Sequence, residues 1–183
     1  MTLKLKVLLG VTAVMLVLDQ VSKVWIQQNL RVGKDEIHLI PNFLSVVHAK
    51  NNGAAFSSFD TFEYRMYLFA VFTVVAVGVL IQTFRQLRAD DGMQSAAIGL
   101  ILSGAIGNGI DRALHQEVTD WVRVYGGFEP AHSFLVKHFR TDTWPIWNVA
   151  DACILIGVGL FAVHYLFEKD REEPVEGDAP PAL

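Results

Sequence analysis

The sequence predicts an all-α membrane protein: four transmembrane helices with a small extracytoplasmic β-hairpin or sheet and loop region at one end. Three observations predict it. Of the 183 residues, 52% are hydrophobic and only 19% charged, whereas soluble domains carry about a quarter charged residues. Four apolar segments lie at about 5–26, 66–84, 95–110 and 149–167, each close to the roughly 20 residues that cross a hydrocarbon core. The stretches between them, about 27–65 and 111–148, hold turn signals and aromatic residues and no fifth apolar run.

The first segment is interrupted by Asp19 and Lys23. Lys4 and Lys6 ahead of an apolar stretch also suit a cleavable signal peptide. No small-x-small cleavage site follows, however, and the helical pattern runs on through DQVSKVWI. Met66 to Phe84 has no charged residue and is the cleanest span. In the third segment Gly99, Ser103 and Gly107 recur every four residues, a small-residue face that lets helices approach closely. The fourth runs from Val149 to Phe167 with no carboxylate after Asp151 and His164 as its only basic residue. Lys4, Lys6, Arg85, Arg88, Lys169 and Arg171 fall in short segments on one side, which favours both termini in the cytoplasm. Residues 1–168 read as one domain, and the charged, proline-rich 169–183 as a disordered cytoplasmic tail.

In the first outer loop Pro41 and Asn42 mark a turn, Phe43 to His48 is strand-like, and Asn51-Asn52-Gly53 is a second turn signal. The second loop is aromatic, with Trp121, Tyr125, Phe128, Phe134, Phe139, Trp144 and Trp147, residues suited to the headgroup zone.

Several function classes are disfavoured. A net charge of −4 with scattered basic residues gives no sign of nucleic-acid binding. The single cysteine, Cys153, allows no internal disulfide and no thiolate cluster. Neither HExxH nor GxSxG occurs, and no metal or cofactor is expected.

Ionisable residues at membrane depth are costly and therefore candidates for function. Here the ionisable ones are Asp19, Lys23, Asp111, Arg112, Asp120 and Asp151, with the polar Asn108 and Asn148 beside them, all toward the outer side of the predicted topology. Asp19 and Lys23, four apart, can pair on one helix face. Asn108, Asp111 and Arg112 share a face and read as a scaffold for a polar site. Asp151 suits the first turn of its helix, with Asn148 in N-cap position. Taken alone, Asp151 is a helix-start residue and Asp120 a solvated loop acid. Taken together they suggest a carboxylate dyad, one member activating water and the other donating a proton, as in aspartic proteases.

The segments LDQVSK (18–23), NNGAAFS (51–57), GNGIDR (107–112), VTDW (118–121) and WNVADA (147–152) occur in that order. On these the chain resembles the lipoprotein signal peptidases, or signal peptidase II, over nearly its whole length except the tail. The resemblance implies a bacterial inner-membrane endopeptidase that cuts prolipoproteins just before a diacylglyceryl-modified cysteine, at the outer face beside the lipid. It implies Asp120 and Asp151 as the catalytic dyad, with Asn52, Asn108, Asp111, Arg112 and Asn148 lining or supporting the site. Asp19 and Lys23 would be structural or would orient substrate. It further implies inhibition by globomycin-type cyclic peptides, and a monomer is expected.

Two departures stand out. The stretch between Asp120 and Asp151 is long for the family, so GGFEPAHSFLVKHFRT reads as an insertion, and Trp121 and Trp147 stand where phenylalanine is usual. The rival from another class is a non-enzymatic small membrane transporter or proton-relay subunit, with Asp19, Asp111 and Asp151 passing protons. An intramembrane protease of the GxGD type is disfavoured, because that motif is absent.

Overall fold

The computed structural model describes residues 1–53, 64–127 and 129–169. Ala54 to Ser57 of the NNGAAFS motif and the tail from residue 170 lie outside the described residues. Four long helices carry the architecture: α1 (Leu3–Asn29), α2 (Arg65–Gln86), α3 (Gly92–His115) and α5 (Val149–Lys169). All four are long and apolar enough to cross a membrane. At one end lies a three-stranded antiparallel sheet, β1 (Glu36–Ile40), β2 (Leu44–Asn51) and β3 (Val118–Val124), in the order β1-β2-β3. A short helix, α4 (Ala131–Phe139), follows β3.

α3 is the hub, packed against α1, α5 and α2. In its best spanning window 56% of residues are buried, against none in that of α2, which is why α2 can be apolar all round. Small residues set the close approach. A Cβ on Gly104 would overlap the Ala150 carbonyl of α5, and one on Gly107 would strike the Asp19 carboxylate of α1. At the opposite end from the sheet, Lys4 Nζ donates to the carbonyls of Phe84 and Leu87 (3.2 and 2.7 Å), which caps α2 from α1.

α1 is longer than a hydrocarbon core requires, about 40 Å at 1.5 Å per residue. Its last turns rise under the sheet, where Ile26 and Leu30 pack with Val46 and Trp121. The β1–β2 hairpin turns at Asn42, which has φ 57°. After β2, Asn51 Oδ1 accepts from the Gly53 amide at 2.8 Å, a side-chain turn of the kind asparagine favours.

The second loop differs from its sequence reading. Asp120 sits not in a solvated loop but in a strand, opposite Ala49 of β2. The long stretch that follows β3 is an arm. Trp147 returns to exchange backbone hydrogen bonds with Val122 (2.8 and 3.2 Å), and Tyr125 pairs with Thr143. Both ends of the arm are thus pinned to one strand.

Candidate active site

The sheet meets α1, α3 and α5 in a polar cluster that water scarcely reaches. Asp19, Lys23 and Asn148 are each at most 1% exposed, Asp120 is 2%, and Asp111 and Asn108 are also buried. Each of these six has a partner, as burial requires.

Lys23 is the centre of one half. Its ammonium lies 2.9 Å from Asp19 Oδ2, 3.1 Å from Asp111 Oδ2, and donates to Asn108 Oδ1 at 3.0 Å. Three donors meet three acceptors. Asp19 Oδ1 also accepts from the Ala150 amide (2.9 Å) in the first turn of α5, where the helix dipole favours a negative charge. Asp111 Oδ2 accepts from the Thr119 amide (3.1 Å) and so ties α3 to β3. Gln20 Nε2 donates to Asp19 Oδ2 at 3.0 Å.

Asp120 and Asp151 form the other half. Asn148 caps α5: its Oδ1 accepts from the Asp151 amide at 3.0 Å, and Asp151 Oδ2 accepts from the Asn148 amide at 3.2 Å, a reciprocal capping box. The Asn148 side-chain amide then donates to Asp120 Oδ1 (2.6 Å) and Asn108 Oδ1 (3.2 Å). Asn108 Nδ2 donates to Asp151 Oδ1 at 2.8 Å, and Asn51 Nδ2 to Asp120 Oδ2 at 2.8 Å. Two asparagines therefore bridge the two carboxylates, and among the described residues neither carboxylate has a cation at salt-bridge distance. Burial, with the nearby charge of Asp151 adding to it, pushes the Asp120 carboxyl up to about 6 from 3.8, against the amide hydrogen bonds that lower it.

The structure brings together Asp19, Lys23, Asn108, Asp111, Asp120, Asn148 and Asp151. Asn52 is exposed in the turn after β2, and it is Asn51, missed in the sequence, that holds Asp120. Arg112 bonds none of the gathered side chains directly, although its charge acts on Asp151, Asp120 and Asp111. It is half-buried, its guanidinium lies 4.5 Å from the Phe69 ring centroid on α2, and its Nη1 donates to the Asn108 carbonyl at 3.3 Å. There it roofs an apolar groove of about 510 Å³ between α2 and α3, lined by Met66, Phe69, Thr73, Ile106 and Gly109 among others. Trp121, beside Asp120, buries its Nε1 without a hydrogen-bond partner among the described residues. No group of three His, Cys, Asp or Glu residues able to share a metal ion occurs among the described residues.

Residues 11–167 match the family model described as signal peptidase (SPase) II. The chain belongs to that family. It is accordingly a protease, a hydrolase, and a bacterial integral membrane protein. Among its relatives are a lipoprotein signal peptidase of Geobacter sulfurreducens, 41% identical over 87% of this chain and 91% of that one. One of Listeria welshimeri is 37% identical over 88% of this chain and 94% of its own. A bacterial membrane enzyme solved at 2.3 Å resolution superposes with TM-score 0.74 at 27% identity, covering 93% of this chain and 94% of that chain. A second, solved at 1.9 Å, gives 0.72 at 29% identity, over 87% of this chain and 92% of that one.

Proposed function

We propose that this signal peptidase II removes signal peptides from diacylglyceryl-modified prolipoproteins, cutting just before the lipidated cysteine, with Asp120 and Asp151 as its catalytic pair. One observation carries the reading: two carboxylates from different elements, strand β3 and the first turn of α5, are bridged by Asn148 and Asn108, with no cation at salt-bridge distance among the described residues.

The chemistry follows from that arrangement. One carboxylate takes a proton from water as its oxygen attacks the scissile carbonyl carbon. The other, protonated, donates to the leaving amide nitrogen as the carbon–nitrogen bond breaks. A carboxyl poised at about 6 lies near the operating pH, where acid–base catalysis is most effective. Acid and base roles are given to the pair and not to either residue. Asn148 and Asn108 hold both carboxyl groups in place, and Lys23 with Asp19 and Asp111 fixes the three helices that carry them. The groove under Arg112 accommodates apolar substrate beside the pair.

The reading places the chain in the bacterial inner membrane, with both termini cytoplasmic and the site at the outer face. The diacylglyceryl group stays in the bilayer there while water reaches the peptide bond. It acts as a monomer, takes no metal or other cofactor, and is blocked by globomycin-type peptides occupying the same groove. The proton-relay alternative wants ionisable groups strung across the membrane. Asp19 and Asp111 instead converge on one lysine at one end.

The test is cleavage of a diacylglyceryl-modified prolipoprotein by the purified chain in lipid. Signal-peptide release that persists with a chelator and is lost in both Asp120→Asn and Asp151→Asn is the expected result. Appreciable activity in either variant would remove the pair from the mechanism, and no cleavage by the inserted wild type would remove the substrate.

A further inference from the structure

The arm between β3 and α5 has chemistry the peptidase site does not use. Residues paired across a ladder share a face of the sheet. Ile37 pairs with Val46, Val46 with Val122, and Leu44 with Val124, so one face is apolar. The other is polar. There Tyr125 Oη donates to Glu36 (2.5 Å), Arg123 pairs with Glu36 (3.3 Å), and His38 Nδ1 meets Ser45 Oγ at 2.9 Å.

The apolar face continues the lipid-facing side of α1. Val46 and Trp121 line one apolar cavity with Leu18, Val21 and Trp25 of α1, where Val21 is 62% and Trp25 49% exposed. Further along, Val124 lines a second apolar cavity of about 600 Å³ with Phe43, Phe134, Leu135 and Trp144. Leu135 is buried and seats α4 on the sheet, while Phe134, Trp144 and Phe43 are 40–50% exposed. An apolar strip therefore runs from the membrane-crossing surface of α1 to the tip of the arm.

Basic groups accompany it. Lys137 and His138 follow Phe134 by three and four residues and so lie on its side of α4. The His138 ring sits 4.5 Å from that of Phe134, and Arg140 ends the helix. Lys137, His138 and Arg140 are exposed. The acids at the base of the arm, Glu129 and Asp142, line a neighbouring cavity with Asn42 and His132, which meets the apolar one at Tyr125 and Gly126. Aromatic rings with cations beside them suit the headgroup layer, rings toward the acyl chains and cations toward lipid phosphate.

We infer that α4 and the apolar face of the sheet form an interfacial anchor, seated in the lipid leaflet at the sheet end of the bundle and favouring anionic headgroups. The inference rests on the four spans and the sheet, not on the peptidase reading.

The test is nitroxide accessibility in the full-length chain reconstituted alone into phosphatidylethanolamine–phosphatidylglycerol vesicles. Labels are placed at Phe134→Cys and, as a control on the polar side, at the exposed Lys34→Cys. Cys153 is 1% exposed, and its background is read on the parent chain. The expected result is that oxygen relaxes the label at 134 more than a water-soluble nickel chelate does, with the reverse at 34. Replacing phosphatidylglycerol by phosphatidylcholine, or substituting Lys137→Ala with Arg140→Ala, should make the 134 label shallower. A label at 134 as open to the chelate as that at 34 would overturn the anchor, as it would if a partner protein normally covered this face. Protection from both reagents with spin–spin broadening would overturn it in favour of a second copy. An unchanged depth without anionic lipid would overturn the charge preference.

Discussion

Two pairs of aspartates share one cluster, buried except for the half-buried Asp151, and are treated in opposite ways. Asp19 and Asp111 meet the Lys23 ammonium at 2.9 and 3.1 Å. Asp120 and Asp151 receive asparagine amides, and no described cation reaches salt-bridge distance. Removing a charge from water is expensive, and a close counter-ion offsets much of that cost. The first pair is therefore compensated and serves to join α1, α3 and α5. The second is held in place without being neutralised, and Asp120 is pushed up to about 6. The lesson is that burial alone does not mark a reactive acid; burial without a counter-ion does.

The contrast can be broken from either side. The largest effect is expected on the uncompensated pair. Asp120→Asn and Asp151→Asn should each lower cleavage by about 10³-fold or more, with little loss of thermal stability, as followed by prolipoprotein processing alongside a melting curve. On the compensated pair the order reverses. Lys23→Met strands two buried carboxylates and should cost about 3–5 kcal/mol, seen as a large fall in melting temperature in detergent. A stable Lys23→Met protein would mean that the ammonium is not what binds the three helices.

Asn148 touches both halves, so Asn148→Ala sharpens the comparison. It removes a helix cap and leaves an Asp120 oxygen unmatched, together costing about 2 kcal/mol, with cleavage slowed about tenfold. A drop in stability with unchanged rate would confine Asn148 to capping. The smallest expected effect separates two neighbours. Asn51→Ala should slow cleavage by up to about tenfold, one hydrogen bond's worth, while the exposed Asn52→Ala should slow it less. Equal losses in kcat/KM would return Asn52 to the site.

How much of this could be read from the residues alone depends on the range of the interaction. The spans were legible because a bilayer imposes its own length on an apolar run. The Asp19–Lys23 pair and the Asn148–Asp151 cap were legible because helical spacing of three or four residues fixes them locally. Strand β3 was not, since VTDWVRV pairs with a strand some 70 residues earlier, and its alternation is blurred by Asp120 and Arg123. Asn51 was missed for a related reason. Which of two adjacent asparagines faces Asp120 is a question of register, and a one-residue slip exchanges the faces. The irregularity between Val46 and Ala49 sets that register, placing Ala49 opposite Asp120 and Asn51 opposite Val118. That Arg112 also stacks on the Phe69 ring could not be read, because that ring belongs to another helix. The nine-residue α4 has too few turns to announce its apolar side.

The central claim is that Asp120 is a buried acid with no described cation at salt-bridge distance, its carboxyl pushed up to about 6. Infrared difference spectroscopy of the chain in lipid, titrated from pH 5 to pH 8, reads this through the carbonyl stretch of a protonated carboxylic acid. The predicted result is a band lost with a midpoint near 6 in the wild type and missing in Asp120→Asn. A band that survives in Asp120→Asn, or a wild type with no carboxyl titrating in that range, would contradict it.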